Sequence, residues 1–445
     1  MLTSRIRLLI KESLKSLVFL MLFVSGFVAW AAEDSQRKTF RTKSLSEERT
    51  KTLDIKPTGF KRAKTLELKG RAKTLTTKSS SQPIHPHTGS RRGIFLITNW
   101  ESFCQEGLTN SDQFATTDQV RAATDDLRAW YQEVSADHFD LTWDIYGPSD
   151  VAYPQQCSAI NKIEITSHAV LGVLTANPEL NICDYDYISV YPTPGTRSPS
   201  GNLVATGFRN NFQIAGCRKD FSVTLLTWKA NREDKIDSPE VYRHEFGHSL
   251  RLDHANSWDC GSNTASYSAT GCVSAEYGFI LDTMGMSSGH FNCAYKQYLG
   301  WATATQIDAS GGSYPITALE ANSDSPKCLK MNVGGTFGEL YIDYRLRGGY
   351  DSYPSNFNYF LPSPGGLVLY RVGYLRGVNY LDSPTAWLLD CIPESNPTGP
   401  SGSVSDWLDA AIGPGQVCDT GLGFTVSFTT TTTTSVSVTI TSLSP

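Results

Sequence analysis

His244-Glu245-Phe246-Gly247-His248-Ser249-Leu250-Arg251-Leu252-Asp253-His254 puts three imidazoles and two carboxylates into one short stretch. His244 and His248 are four apart, so on a helix both rings share a face one turn apart and can grip one ion. The residues just upstream predict that helix independently. In Asp237-Ser238-Pro239-Glu240, Ser238 suits the N-cap, Pro239 the first turn, and Glu240 the positive end of the helix dipole. If the helix stops near Leu250 and the chain turns back, His254 supplies a third nitrogen. Zinc favours such tetrahedral nitrogen ligation, and a catalytic zinc site keeps its fourth position for water. Glu245, next to a ligand, is then placed to act as general base. The expected metal is therefore Zn2+ on His244, His248 and His254.

Upstream of the motif the chain alternates strands and helices. Ile94-Phe95-Leu96-Ile97 reads as a buried strand. Val120, Ala123, Leu127, Trp130, Tyr131 and Val134 fall at helical spacing, with Thr116 and Gln119 forming a capping box at the start. Phe139–Trp143, Tyr187–Tyr191 and Phe221–Leu226 read as further strands. Downstream of about residue 305 helical periodicity fades, and Gly, Pro, Ser and Thr punctuate short strands. The threonine run 429–434 separates two alternating segments, as a hairpin would. The expected fold class is thus α+β: a catalytic domain of mixed sheet plus zinc-binding helix over 93–304, then a β-rich, sandwich-like domain over 305–445.

The first 92 residues differ in kind. Arg5, Arg7, Lys11 and Lys15 precede an apolar run from Leu17 to Val28 and a small-x-small site at Ala29-Trp30-Ala31. Residues 1–31 therefore read as a secretory signal peptide. Residues 32–92 carry 16 Lys and Arg against 6 Asp and Glu and few large apolar groups. They read as a disordered linker or a propeptide removed near Arg91-Arg92. Because the whole chain has a net charge of -5, the body after residue 92 is strongly acidic. That argues against nucleic acid as a partner, which calls for a basic face. No later segment is long and apolar enough to span a membrane, so none is expected to hold the chain there once the signal is removed. All ten cysteines lie beyond residue 100 with no CxxC pair. An exported chain with this count is expected to form up to five disulfides.

The motif also carries a resemblance. A third histidine six residues after HExxH, followed by a methionine turn, is similar to the metzincin metallopeptidases. Asp282-Thr283-Met284-Gly285 matches that turn. Within the metzincins the chain most resembles the gametolysin-like family over roughly 93–445. The matching stretches are Trp130–Ser135, Tyr295–Trp301, Tyr341–Arg345, Gly365–Tyr370 and Leu388–Asp390. The resemblance implies a secreted zinc endopeptidase acting on extracellular or cell-wall protein, with Met284 as a floor beneath the metal and Met286 as its rival. An extended polypeptide substrate is expected to pair with an edge strand. The alternative is a non-catalytic secreted binding or adhesion protein that keeps the metal for structure. One position departs from the family pattern: Arg251 stands where glycine ends the helix in a left-handed conformation. A non-glycine residue there costs on the order of 1 kcal/mol. Asp253 and, behind it, Glu276 are substitute third ligands should His254 not return.

Overall fold

A computed structural model describes residues 87–100, 115–151, 162–193, 205–226, 239–267, 272–285, 287, 289–334, 337–351, 361–375, 383–393 and 404–443. The expected signal peptide, most of the leader, Met286, Cys104, Cys157 and the helix start at 237–238 lie outside the described residues.

Strand β1 (Gly89–Trp100) is an interior strand of a five-stranded sheet, paired on both sides. Its residues alternate as a two-sided strand must. Ile94 and Leu96 enter one apolar cluster, and Phe95 and Ile97 enter another. The order expected from Gly93 begins earlier. Arg91 and Arg92 already lie in register with Leu141 and Thr142, and the Arg92 guanidinium meets Asp144 Oδ2 at 2.6 Å. The expected division at 92/93 therefore falls inside an interior strand, and cleavage there would cut it.

Helix α1 (Thr117–Val134) has the expected capping box, with the Thr116 side chain accepting from Gln119 N and Gln119 reaching back. It carries the chain from β1 to β2 (Phe139–Val151), and α2 (Lys162–Ala176) carries it to β3 (Tyr187–Thr193). Both strands are parallel to β1, as crossover helices allow. Then β4 (Thr206–Ile214) and β5 (Cys217–Leu225) form a hairpin. Its turn residues Ala215 and Gly216 both have positive φ, 47° and 84°, which suits a two-residue turn between twisted strands. The sheet order is β2-β1-β3-β5-β4, which leaves β4 at the edge, antiparallel to β5.

The layers follow from which face each helix buries. On one side, α2 packs Ile165, Ala169 and Val173 against Ile94, Leu96 and Val190. On the other lie α1 and two further helices, α3 (Pro239–Ser249) and α4 (Cys293–Leu299). Their apolar residues share a core with Tyr341, Val368, Tyr370 and Leu388 of a second sheet. That sheet contains β6 (Asn256–Asp259), β7 (Val273–Ala275), β8 (Ala304–Ile307), β10 (Cys328–Gly334), β11 (Gly338–Leu346), β12 (Gly365–Leu375) and β13 (Ser383–Leu388). Their order is β7-β6-β13-β12-β11-β10-β8. Its far face shares an apolar core with a four-stranded sheet of β9 (Gly312–Thr317), β14 (Val417–Asp419), β15 (Phe424–Thr430) and β16 (Ser435–Ser442). The threonine run falls at the β15–β16 hairpin, as expected.

The fold is therefore mixed α+β with strands predominating. The division expected at 304/305 is not a break between bodies. Residues 82–445 form one unit, and β6 and β7, from before 304, belong to the same sheet as β8 and β10 to β13. Cys293–Cys328 also crosses that point. Closing this 35-residue separation removes about 4 kcal/mol of unfolded-chain entropy. Replacing both cysteines by serine is expected to lower unfolding free energy by that order in a guanidinium titration. A loss under about 1 kcal/mol would contradict it.

Three further disulfides join Cys183–Cys217, Cys260–Cys272 and Cys391–Cys418. The four disulfides among the described residues fit an exported protein. Among the described residues no helix is long and apolar enough to cross a membrane.

Candidate metal centre

Helix α3 is fixed in the layer between the two larger sheets by its buried face. Phe246 packs edge-on against Tyr131 at 4.9 Å. Tyr242 hydroxyl lies 2.9 Å from Ser189 Oγ on β3. Tyr131 donates to the Arg243 carbonyl, and Arg243 Nη2 donates to both oxygens of Asp126 at 3.0 and 2.7 Å, tying α3 to α1.

The helix ends where the sequence predicts, through backbone bonds that close its last turn. Arg251 N donates to His248 O at 2.9 Å and Leu252 N to Gly247 O at 3.1 Å. This is the pattern that calls for a left-handed residue after the helix, and Arg251 adopts it with φ 71°. Its strain is offset by contacts that glycine could not make with a side chain: Arg251 Nη2 lies 2.6 Å from Asp220 Oδ2, which also holds Arg209 Nε at 2.8 Å. Ser383 Oγ donates to the Arg251 carbonyl from β13. The chain then reverses, and His254 comes back over the helix. Its backbone is held by Tyr295 of α4, whose hydroxyl donates to Asp253 O at 3.0 Å and His254 O at 3.1 Å.

His244, His248 and His254 converge as expected. One nitrogen of each lies within 4.8 Å of the others, a group that could hold a metal ion. Each ring is oriented by its other nitrogen. Nδ1 of His244 lies 2.8 Å from Thr283 O, Nδ1 of His248 2.9 Å from Leu252 O, and Nδ1 of His254 2.7 Å from Glu276 Oε1. All three partners are acceptors, so in the neutral rings Nδ1 carries the hydrogen and Nε2 the lone pair. His248 Nε2 and His254 Nε2 are 3.0 Å apart. Two lone pairs at that distance repel unless a proton or a cation lies between them. Burial holds the His244 pKa down to about 4, against the bond to Thr283 O. Burial, then the neighbouring His254, pushes His248 well below its ordinary value. Three imidazole nitrogens turned toward one point make a donor set that fits a divalent cation, which binds the neutral form of the ring.

The rival ligands are accounted for. Glu276 faces the far nitrogen of His254 and orients that ring. Asp253 Oδ2 accepts from Thr385 Oγ1 at 3.0 Å.

Glu245 is 4% exposed, and its Oε2 accepts from Gly207 N, near the start of edge strand β4, at 2.7 Å. Helix and strand touch at that glycine: a Cβ on Gly207 would stand 1.6 Å from Glu245 O. Gly207→Ala is expected to cost on the order of 3 kcal/mol or more, because backbone rather than a flexible side chain must move. An unchanged melting temperature would show that the strand yields instead. Met284 lies fully buried under the helix, and a Cβ on Gly247 would stand 2.4 Å from its Sδ.

Several contributors were not visible beforehand. Gly207 has no motif of its own. Thr283 and Leu252 act through carbonyls, which every residue has. Tyr277 sits at φ 63° with its ring 4.0 Å from that of His254. A buried, non-glycine left-handed residue beside the metal group is backbone strain held by its surroundings, and only the structure reveals it. Comparison with protein-family models finds none that matches this chain, and comparison with curated proteins finds no match either.

Proposed function

We propose that this protein is a secreted zinc endopeptidase of the metzincin type, similar to the gametolysin-like family, with Glu245 as its general base. The observation that carries the reading is the set of three imidazoles, each oriented through Nδ1 to present Nε2 to one point, next to the buried Glu245. Zinc is the cation that this all-imidazole donor set favours, and when bound it supplies Lewis-acid activation of water and of a carbonyl.

The chain's own groups do the rest. Glu245 takes a proton from the attacking water as its oxygen bonds to the scissile carbonyl carbon. It delivers that proton to the amide nitrogen as the C–N bond breaks, so one water is added across one peptide bond. Gly207 N–H keeps the carboxylate aimed while it alternates between charged and protonated forms. Because β4 ends its sheet beside Glu245, an extended substrate chain would add to that edge, where backbone hydrogen bonds align it without regard to its side chains. Met284 closes the site from below with an apolar floor.

An intact Glu245 weighs against the alternative of a metal-containing adhesion protein, which needs no base. A hydrolase of another bond would use similar groups, so substrates separate the two. The purified protein is expected to cleave unfolded casein, to lose that activity with 1,10-phenanthroline, and to regain it with zinc. Cleavage of peptidoglycan or glycan substrates with casein left intact would contradict the peptidase assignment.

A further inference from the structure

Behind the metal group lies a cluster of buried charges that the proposed chemistry does not use. Arg345 of β11, Asp343 of β11 and Asp351 are each 0% exposed, as are Asp282 and His290 on either side of Met284. A buried ion cluster is weak evidence for stability, because desolvation offsets the attraction. The ion pairs here are long: Arg345 Nε to Asp343 Oδ1 is 3.7 Å and Arg345 Nη1 to Asp351 Oδ2 is 3.9 Å. Among the described residues Arg345 Nε and Nη2 make no hydrogen bond at all. Only Nη1 makes good ones, and both go to the backbone around Met284. It donates to Leu281 O and, at 3.3 Å, to His290 O.

That single nitrogen therefore joins the two sides of the methionine turn. Asp351 adds a second hold, since its Oδ1 accepts from His290 N at 2.8 Å. The turn in turn orients the metal group. Thr283 O is the partner of His244 Nδ1, and Met284 O accepts from the amide of Ala255, the residue after His254, at 2.9 Å. Two of the three histidines thus depend on a loop clamped from the downstream sheet.

We infer that Arg345 is a positioning residue of the metal centre: its guanidinium sets the turn that aims His244 and anchors the chain at His254, so that the downstream β-rich part is built into the site. The inference rests on the reading that the triad holds zinc. Coupling of this kind is reciprocal, so metal binding must also stabilise the clamp.

The test compares the full-length secreted protein with Arg345→Gln, Arg345→Lys and, as a control for general loss of stability, Val438→Ala in the far core. Zinc affinity is measured by competition with a chromophoric chelator, and site geometry by the visible spectrum of the cobalt form. Arg345→Gln is expected to bind zinc about 10- to 100-fold more weakly, with an altered cobalt spectrum, the range found when an outer-shell partner is lost. Arg345→Lys should recover part of this, because it keeps one donor and the charge. Val438→Ala should lower the melting temperature and leave zinc affinity within about twofold. Hydrogen exchange on the wild-type protein adds a readout that no variant's folding can obscure: zinc should slow exchange at the His290 amide, which Asp351 holds. Wild-type zinc affinity and cobalt spectrum in Arg345→Gln, or exchange at His290 indifferent to zinc, overturns the inference. Failure of the wild type itself to bind zinc overturns the metal reading beneath it, and the wild-type titration alone reports that.

Discussion

Glu245→Gln is expected to lower the rate of casein hydrolysis by about a thousandfold, within the range that general acid–base catalysis supplies, while the protein keeps its zinc. The reasoning is local. Glutamine has the same length, and its amide oxygen can still accept the Gly207 N–H bond now made at 2.7 Å. The Nδ1 contacts that orient the three histidines do not involve residue 245. What the variant loses is the ability to take up and return a proton. Activity and metal content therefore separate: the first collapses and the second holds. Activity within a few-fold of wild type, with zinc retained, would remove Glu245 from the mechanism, and loss of both together would make its role structural.

Removing the metal is expected to have the second large effect, this time on stability. A ligand that binds only the folded chain stabilises it by about 4 kcal/mol when present at a thousand times its dissociation constant. With an ion removed from between them, the Nε2 atoms of His248 and His254, 3.0 Å apart, would oppose two lone pairs, so the metal relieves a repulsion within the folded chain. Excess EDTA should lower the melting temperature by several degrees, and zinc should restore it. His254→Ala should melt near the chelated wild type and show almost no further response to EDTA. Two features make this ligand decisive: it is reached only through the reversal at Arg251, and its far nitrogen is held by Glu276. An equal EDTA shift in His254→Ala and wild type would mean that the stabilising ion sits elsewhere.

Much of this was legible in the residues. The helix of His244 and His248, its end near Leu250 and the return of His254 follow from ligand spacing and local chain preference. So does the capping box of Thr116 and Gln119, because both partners lie within one turn. What could not be read depends on contacts distant in sequence. Strand β6 pairs with β13 through Asn256 and Trp387, and no local pattern signals a partner so far along the chain. That pairing is why a boundary drawn where periodicity changes, at 304/305, divides one sheet. Order begins before Gly93, although Arg91 and Arg92 by themselves look like linker residues. Their charges are accommodated at the sheet by Asp186 and Asp144, which a charge count along the chain cannot reveal. Arg251 reads as a defect against the family pattern until Asp220 and Ser383 are seen around it. Arg345 lies in a stretch that carries the family resemblance, but no local pattern signals that its Nη1 reaches two backbone carbonyls around Met284.

The most direct test of the account is the metal content of the purified protein, wild type and His254→Ala side by side, after exhaustive dialysis. One zinc per chain in the wild type and almost none in the variant is the predicted result. A wild type that carries no metal, or a variant that keeps a full equivalent, would contradict the claim that these three imidazoles share one ion.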